Sequence, residues 1–98
     1  MSPPEPAGGE DAAWQRLDKF LFLARFVKTR GVAVRLVAAG GVRINRQVTE
    51  KPHAKLRPGD VLTLSLSQGV HVVRVVTFAA RRGPAAEARR LYEIVAED

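Results

Sequence analysis

Between residues 17 and 76 the spacing of apolar side chains changes at Gly40-Gly41, and this change constrains the fold more than any other feature of the chain. Upstream, Leu17, Phe20, Leu21, Ala24 and Val27 recur at the i, i+3, i+4, i+7 spacing of one helix face. Val32, Ala33, Leu36 and Val37 form a second such face. It follows Thr29, whose hydroxyl suits an N-cap, and glycine at its end can take the left-handed conformation that closes a helix. Downstream, the spacing falls to two. Val42-Arg43-Ile44 runs through Asn45-Arg46 into Gln47-Val48, which predicts a short hairpin with Asn45 in the turn. Leu62, Leu64 and Leu66 alternate with Val61, Thr63 and Ser65, and Gln68-Gly69 reverses the chain into the β-branched run Val70–Val76.

The first helix is expected over Leu17–Val27, with Asp18 in its first turn complementing the helix dipole. Only a couple of residues near Lys28 separate it from the second, so the two must pack as a tight pair. Residues 49–57 read as loop. Gly83-Pro84 opens an expected terminal helix with Ala88, Leu91, Tyr92 and Val95 as its packing stripe. The order is α-α-β-β-β-β-α, an α+β domain. Three parts follow: a disordered leader over 1–13, rich in proline, glycine and acids; a domain over 14–80; and a C-terminal helix over 81–98 packed on it.

Charge is segregated along the chain. Residues 16–57 hold eleven lysines and arginines against two acids, Asp18 and Glu50, whereas the remainder is net −3 within an overall charge of +6. A one-sided field of this kind suits a polyanion partner. On a helical wheel, Arg30, Gly31, Val34, Arg35 and Ala38 lie opposite the apolar stripe of the second helix. Two arginines separated by small side chains allow a sugar-phosphate backbone to come close while the guanidinium groups fork onto phosphates. The amides of Thr29-Arg30-Gly31 and the charge of Lys28 add to an anion site at the helix start. The first helix contributes Arg16, Lys19 and Arg25, while Phe22 and Phe26 read as packing residues. Arg43 and Asn45 lie on the first strand and its turn. Lys51, Lys55 and Arg57, on the loop, would supply long-range attraction.

Other chemistries find little footing. The chain has no cysteine and two histidines far apart in sequence, so neither thiol chemistry nor a metal site is expected. No serine stands beside a histidine and an acid, and no phosphate-binding glycine motif occurs, so no enzymatic activity and no cofactor is expected. No apolar run reaches the about 20 residues needed to span a bilayer, and the start does not resemble a secretory signal.

Four elements in order, Arg16-Leu17-Asp18-Lys19, Lys28-Thr29-Arg30, Gly40-Gly41-Val42-Arg43-Ile44-Asn45 and Pro58-Gly59-Asp60-Val61-Leu62, resemble the S4-type (alpha-L) RNA-binding domain. The resemblance implies that the two helices and the following strand form an RNA-binding face carrying Arg16, Lys19, Lys28, Thr29, Arg30, Arg35, Arg43 and Asn45. That domain usually has glycine after the turn asparagine, where this chain has Arg46. The resemblance extends through Arg81-Arg82-Gly83-Pro84-Ala85, Glu87-Ala88 and Leu91-Tyr92-Glu93 to the heat shock protein 15 family of bacteria. It implies a cytoplasmic monomer that binds ribosomal RNA of the large subunit, with tRNA a further partner, and that acts in recycling or quality control of stalled subunits carrying nascent chain-tRNA. Neither a membrane nor a small-molecule substrate is implied, and DNA stays open as another polyanion. Family members often extend into a basic C-terminal tail, whereas this sequence ends at Asp98. The alternative is an RNA-targeting module that works with a separate RNA-modification enzyme.

Overall fold

The structure is a computed structural model and describes residues 14–95. The expected leader lies outside those residues, as do Glu97 and Asp98. Among the described residues, eleven short elements follow one another: strand β1 (Gln15–Arg16), helices α1 (Leu17–Leu23) and α2 (Arg30–Ala38), strands β2 (Val42–Ile44), β3 (Gln47–Val48), β4 (Lys55–Leu56), β5 (Val61–Leu66) and β6 (Gly69–Val75), helix α3 (Ala85–Ala88), a 3-10 turn over Arg89–Leu91, and strand β7 (Tyr92–Ile94). Five strands make one antiparallel sheet in the order β3-β2-β5-β6-β7, and β1 pairs with β4 in a separate two-stranded ribbon.

The apolar spacing places the core where the sequence puts it. Leu17, Phe20, Leu21, Ala24 and Val27 are all buried, and so are Ala33 and Val37 of α2. They pack on the inner sheet face, where Val42, Leu62, Leu64 and Val73 are fully buried. Phe20 meets Phe78 edge-on with ring centroids 6.1 Å apart.

Three expectations are corrected. Helix α1 stops at Leu23, one turn early, because Arg25 adopts a left-handed φ of 66°. The amide of Phe26 donates to the Leu21 carbonyl and that of Arg25 to the Phe22 carbonyl. This closure is common when glycine occupies that position, and here an arginine fills it. Helix α2 ends in the same way, with the Gly40 and Gly41 amides donating to Val37 and Leu36 and Gly40 at φ 82°.

The second correction concerns the expected loop, in which Lys55-Leu56 pairs with Gln15-Arg16. The third concerns the expected terminal helix. It survives as one α-helical turn and a 3-10 turn, after which Tyr92–Ile94 becomes a strand against β6. The Phe26 and Tyr92 rings lie 4.6 Å apart, and the Val76 amide donates to the Leu91 carbonyl. An open edge on β6 would leave its backbone groups unpaired, so pairing outweighs a short helix.

Asn45 and Arg46 both have positive φ, 52° and 77°, which makes the β2–β3 connection a two-residue turn of the kind that prefers Asn-Gly. Arginine there carries the left-handed penalty that glycine avoids. Replacing Arg46 with glycine is expected to stabilise the domain by about 0.5–1 kcal/mol, the relief of strain being partly offset by greater freedom in the unfolded chain. A thermal melt that rises by a few degrees would bear this out.

Candidate nucleic-acid interface

The start of α1 and the start of α2 meet at Asp18. This acid is 2 % exposed, although it lies in the most basic stretch of the chain. Its carboxylate accepts from Arg16 Nε at 3.0 Å, from Arg16 Nη2 at 2.9 Å and from Arg30 Nη2 at 3.2 Å. It also accepts from the backbone N–H of Lys19 at 2.8 Å. One buried carboxylate therefore holds the guanidinium groups of the residue just before α1 and of the first residue of α2, the former in the bidentate fork that is the strongest such geometry. The arginine side chains remain 43 % and 44 % exposed, so their remaining N–H donors face outward.

Asp18 is itself held from behind. Its amide donates to the Pro52 carbonyl at 3.0 Å, and the Leu17 amide donates to the Ala54 carbonyl at 2.8 Å. Those two bonds bring the 51–56 segment alongside α1. Lys55 thereby sits opposite Arg16 in the β1–β4 ribbon, with its ammonium 4.7 Å from the centroid of the Trp14 ring.

Helix α2 begins where the sequence places it. Thr29 Oγ1 accepts from the Val32 amide at 3.1 Å, a side-chain cap that fixes the entry of Lys28 and Arg30. Arg30, Gly31, Val34, Arg35 and Ala38 lie on the outer side of the helix, as the helical wheel requires. The Arg35 guanidinium folds back along α2 toward its start. A Cβ on Gly31 would lie 3.8 Å from both Arg35 Nη1 and Thr29 Oγ1. The absence of a side chain at Gly31 keeps the helix surface low between Arg30 and Arg35.

Of the expected site residues, Arg16, Lys19, Lys28, Thr29 and Arg30 thus belong to the beginnings of the two helices, and Arg35, in the last turn of α2, extends its guanidinium back toward that start. Two do not join them. Arg43 alternates with Val42 and Ile44, which face the core, so its side chain points to the opposite face of the sheet. The Asn45 amide group is occupied in the fold: Nδ2 donates to Asp60 Oδ1 at 3.1 Å, and Oδ1 accepts from the Val61 amide at 2.9 Å. It ties the hairpin turn to the start of β5.

Sequence reasoning missed Asp18 as an anchor and Lys55 as a neighbour of Arg16. Asp18 was visible as one of two acids among residues 16–57, and a lone acid amid cations is a natural counter-ion. No comparable signal marked the two-residue ribbon. Phe22 and Phe26 do pack: the Arg82 guanidinium stands 4.8 Å from the Phe22 ring centroid, and Phe26 lies on Tyr92. Among the described residues, no group of three or more histidines and acids could hold a metal ion, and no helix is long and apolar enough to cross a membrane.

The family model for the S4 domain matches residues 15–62. Heat shock protein 15 of Escherichia coli K12 is 40% identical over 82 residues, which are 84% of this chain and 61% of the relative. The chain therefore spans about three fifths of that relative's length. A factor of Listeria monocytogenes named RQC P-site tRNA stabilizing factor is 28% identical over 89% of this chain and 92% of its own length. Among solved structures, heat shock protein 15 of Vibrio cholerae superposes with a TM-score of 0.80 at 35% identity, covering 85% of this chain and 83% of that one. The Vibrio cholerae protein is described as trimeric, so the expectation of a monomer finds no support in that relative.

Proposed function

The chain belongs to the heat shock protein 15 family, built on an S4 domain, and from that premise we propose that it binds ribosomal RNA of the large subunit through the paired starts of α1 and α2. The observation that carries this reading is the buried Asp18 carboxylate with Arg16 and Arg30 splayed from it. A carboxylate so placed does not cancel a binding surface. It fixes two cations at a set spacing and leaves their outer donors for phosphate oxygens, so less side-chain freedom is lost on binding. Lys28, beside Arg30, and Arg35, folded over Gly31, extend the same surface, with Thr29 holding the helix start.

Within that reading, the target is a large subunit that still carries a nascent chain on tRNA, in the cytoplasm, and the function is its recycling or quality control. The name of the Listeria relative supports tRNA as part of the target. The test is cosedimentation of the chain with purified large subunits, compared with and without peptidyl-tRNA. Stronger pelleting with peptidyl-tRNA-bearing subunits is expected. Equal pelleting would remove the tRNA-dependent part, and no pelleting with either would remove the ribosomal reading.

A further inference from the structure

A second feature lies outside the Asp18 cluster. Between the α1–α2 connection and the β5–β6 hairpin is a groove of about 450 Å³, within the range of sites that hold small organic groups. Phe26, Leu36 and Leu66 supply its apolar floor, and Arg25, Lys28 and Arg82 its cations. Among the described residues, no acidic one lines it.

The two arginines here are held differently from those at Asp18. Arg25 Nε donates to the Gly83 carbonyl at 2.8 Å. Arg82 donates from Nε to the Phe22 carbonyl at 3.1 Å and from Nη2 to the Val27 carbonyl at 3.4 Å. Neutral backbone carbonyls fix these groups without cancelling their charge. Three positive charges beside an apolar floor complement a ligand with both a phosphate and a flat apolar face. The groove also runs close to the helix start, since Lys28 is two residues from Arg30.

We propose that this groove takes one unstacked nucleotide of the bound RNA, its base against Phe26, Leu36 and Leu66 and its phosphate among Arg25, Lys28 and Arg82. The inference rests on the RNA-binding reading above and deepens it. A base inside a duplex is stacked on both faces and cannot enter, whereas recognition of unpaired RNA commonly splays a base onto aromatic or guanidinium surfaces. The RNA site would then contain an unpaired nucleotide next to the phosphates gripped by α2.

The test compares a short single-stranded oligouridine carrying 4-thiouridine with an RNA duplex of equal length. Ser67 and Gln68 line the groove from the exposed hairpin tip, so Ser67→Glu with Gln68→Glu adds acids without touching the core. This double variant is expected to lose about tenfold in affinity for the single strand, the scale of one base stacked on an aromatic ring, and about twofold for the duplex. In the unaltered chain, the thiouridine is expected to crosslink to the peptides bearing Phe26 or Leu66. Equal loss for both RNAs, no loss for either, or crosslinks confined to residues 29–35 would overturn the groove while leaving RNA binding intact. Failure of the unaltered chain to bind either RNA would instead overturn the reading on which the groove rests.

Discussion

Replacing Asp18 with alanine is expected to destabilise the domain and to weaken RNA binding, even though it makes the chain more positive. The carboxylate accepts four hydrogen bonds, three of them from two arginines, one just before α1 and one opening α2. Removing a fully buried ionic partner costs about 3–5 kcal/mol, but these arginines are more than two fifths exposed and can recover water. A loss of about 2–3 kcal/mol follows from that discount, equivalent to roughly 10–20 °C in melting temperature for a domain of this size. Thermal unfolding followed by circular dichroism measures it.

The effect on binding separates two accounts of the surface. If charge alone mattered, removing an acid would tighten binding. Attraction between exposed groups is small in water and screened by salt, whereas ordering a free arginine costs about 0.5–1.5 kcal/mol, and two would have to be ordered. Weaker binding by at least about fivefold is therefore expected on that scale, measured below the melting transition. Tighter binding by the Asp18→Ala chain would show that the fixed spacing of Arg16 and Arg30 contributes nothing.

The second large effect is expected from Arg30→Gln combined with Arg35→Gln. Glutamine at position 30 can still donate to Asp18, so the fold is expected to persist. Each phosphate left without its arginine lowers the slope of log K against log salt by roughly 0.7–0.9, so removing both arginines should flatten it by roughly 1.4–1.8. Affinity near physiological salt should fall by more than about tenfold. The slope is the sharper readout, because a merely unfolded fraction lowers affinity without changing it. An unchanged slope in a folded double variant would place the phosphate-binding groups elsewhere.

Much of this architecture was legible before the structure. The two apolar helix stripes, the Thr29 cap, the glycine stop at the end of α2, the Asn45 turn and the alternation of β5 and β6 are local signals, and local energetics decided them. The exposed face of α2 with Arg30 and Arg35 follows from the same stripe. The departures arose where tertiary packing outweighed local preference. Arg25 takes a conformation that glycine usually supplies, so nothing in the sequence marked the end of α1; its side chain is anchored on the Gly83 carbonyl, far along the chain. The segment around Tyr92 reads as helix until β6 offers it an edge and Phe26 offers it a ring. Asp18 read as a dipole residue because its partner Arg30 lies twelve positions away, and only the packing of α1 on α2 unites them. Arg43 shows the reverse: the resemblance put it on the binding face, yet the alternation of β2 turns it to the other side of the sheet.

The claim on which the rest depends is that RNA meets the chain where α1 and α2 begin. Amide and guanidinium NMR shifts, followed while RNA is added to the isotope-labelled chain, test it most directly. The largest changes are expected at Arg16, Lys19, Arg35 and residues 28–30. Shifts concentrated on the outer sheet face around Arg43, Val48 and Val70, with the signals near Asp18 unmoved, would contradict it.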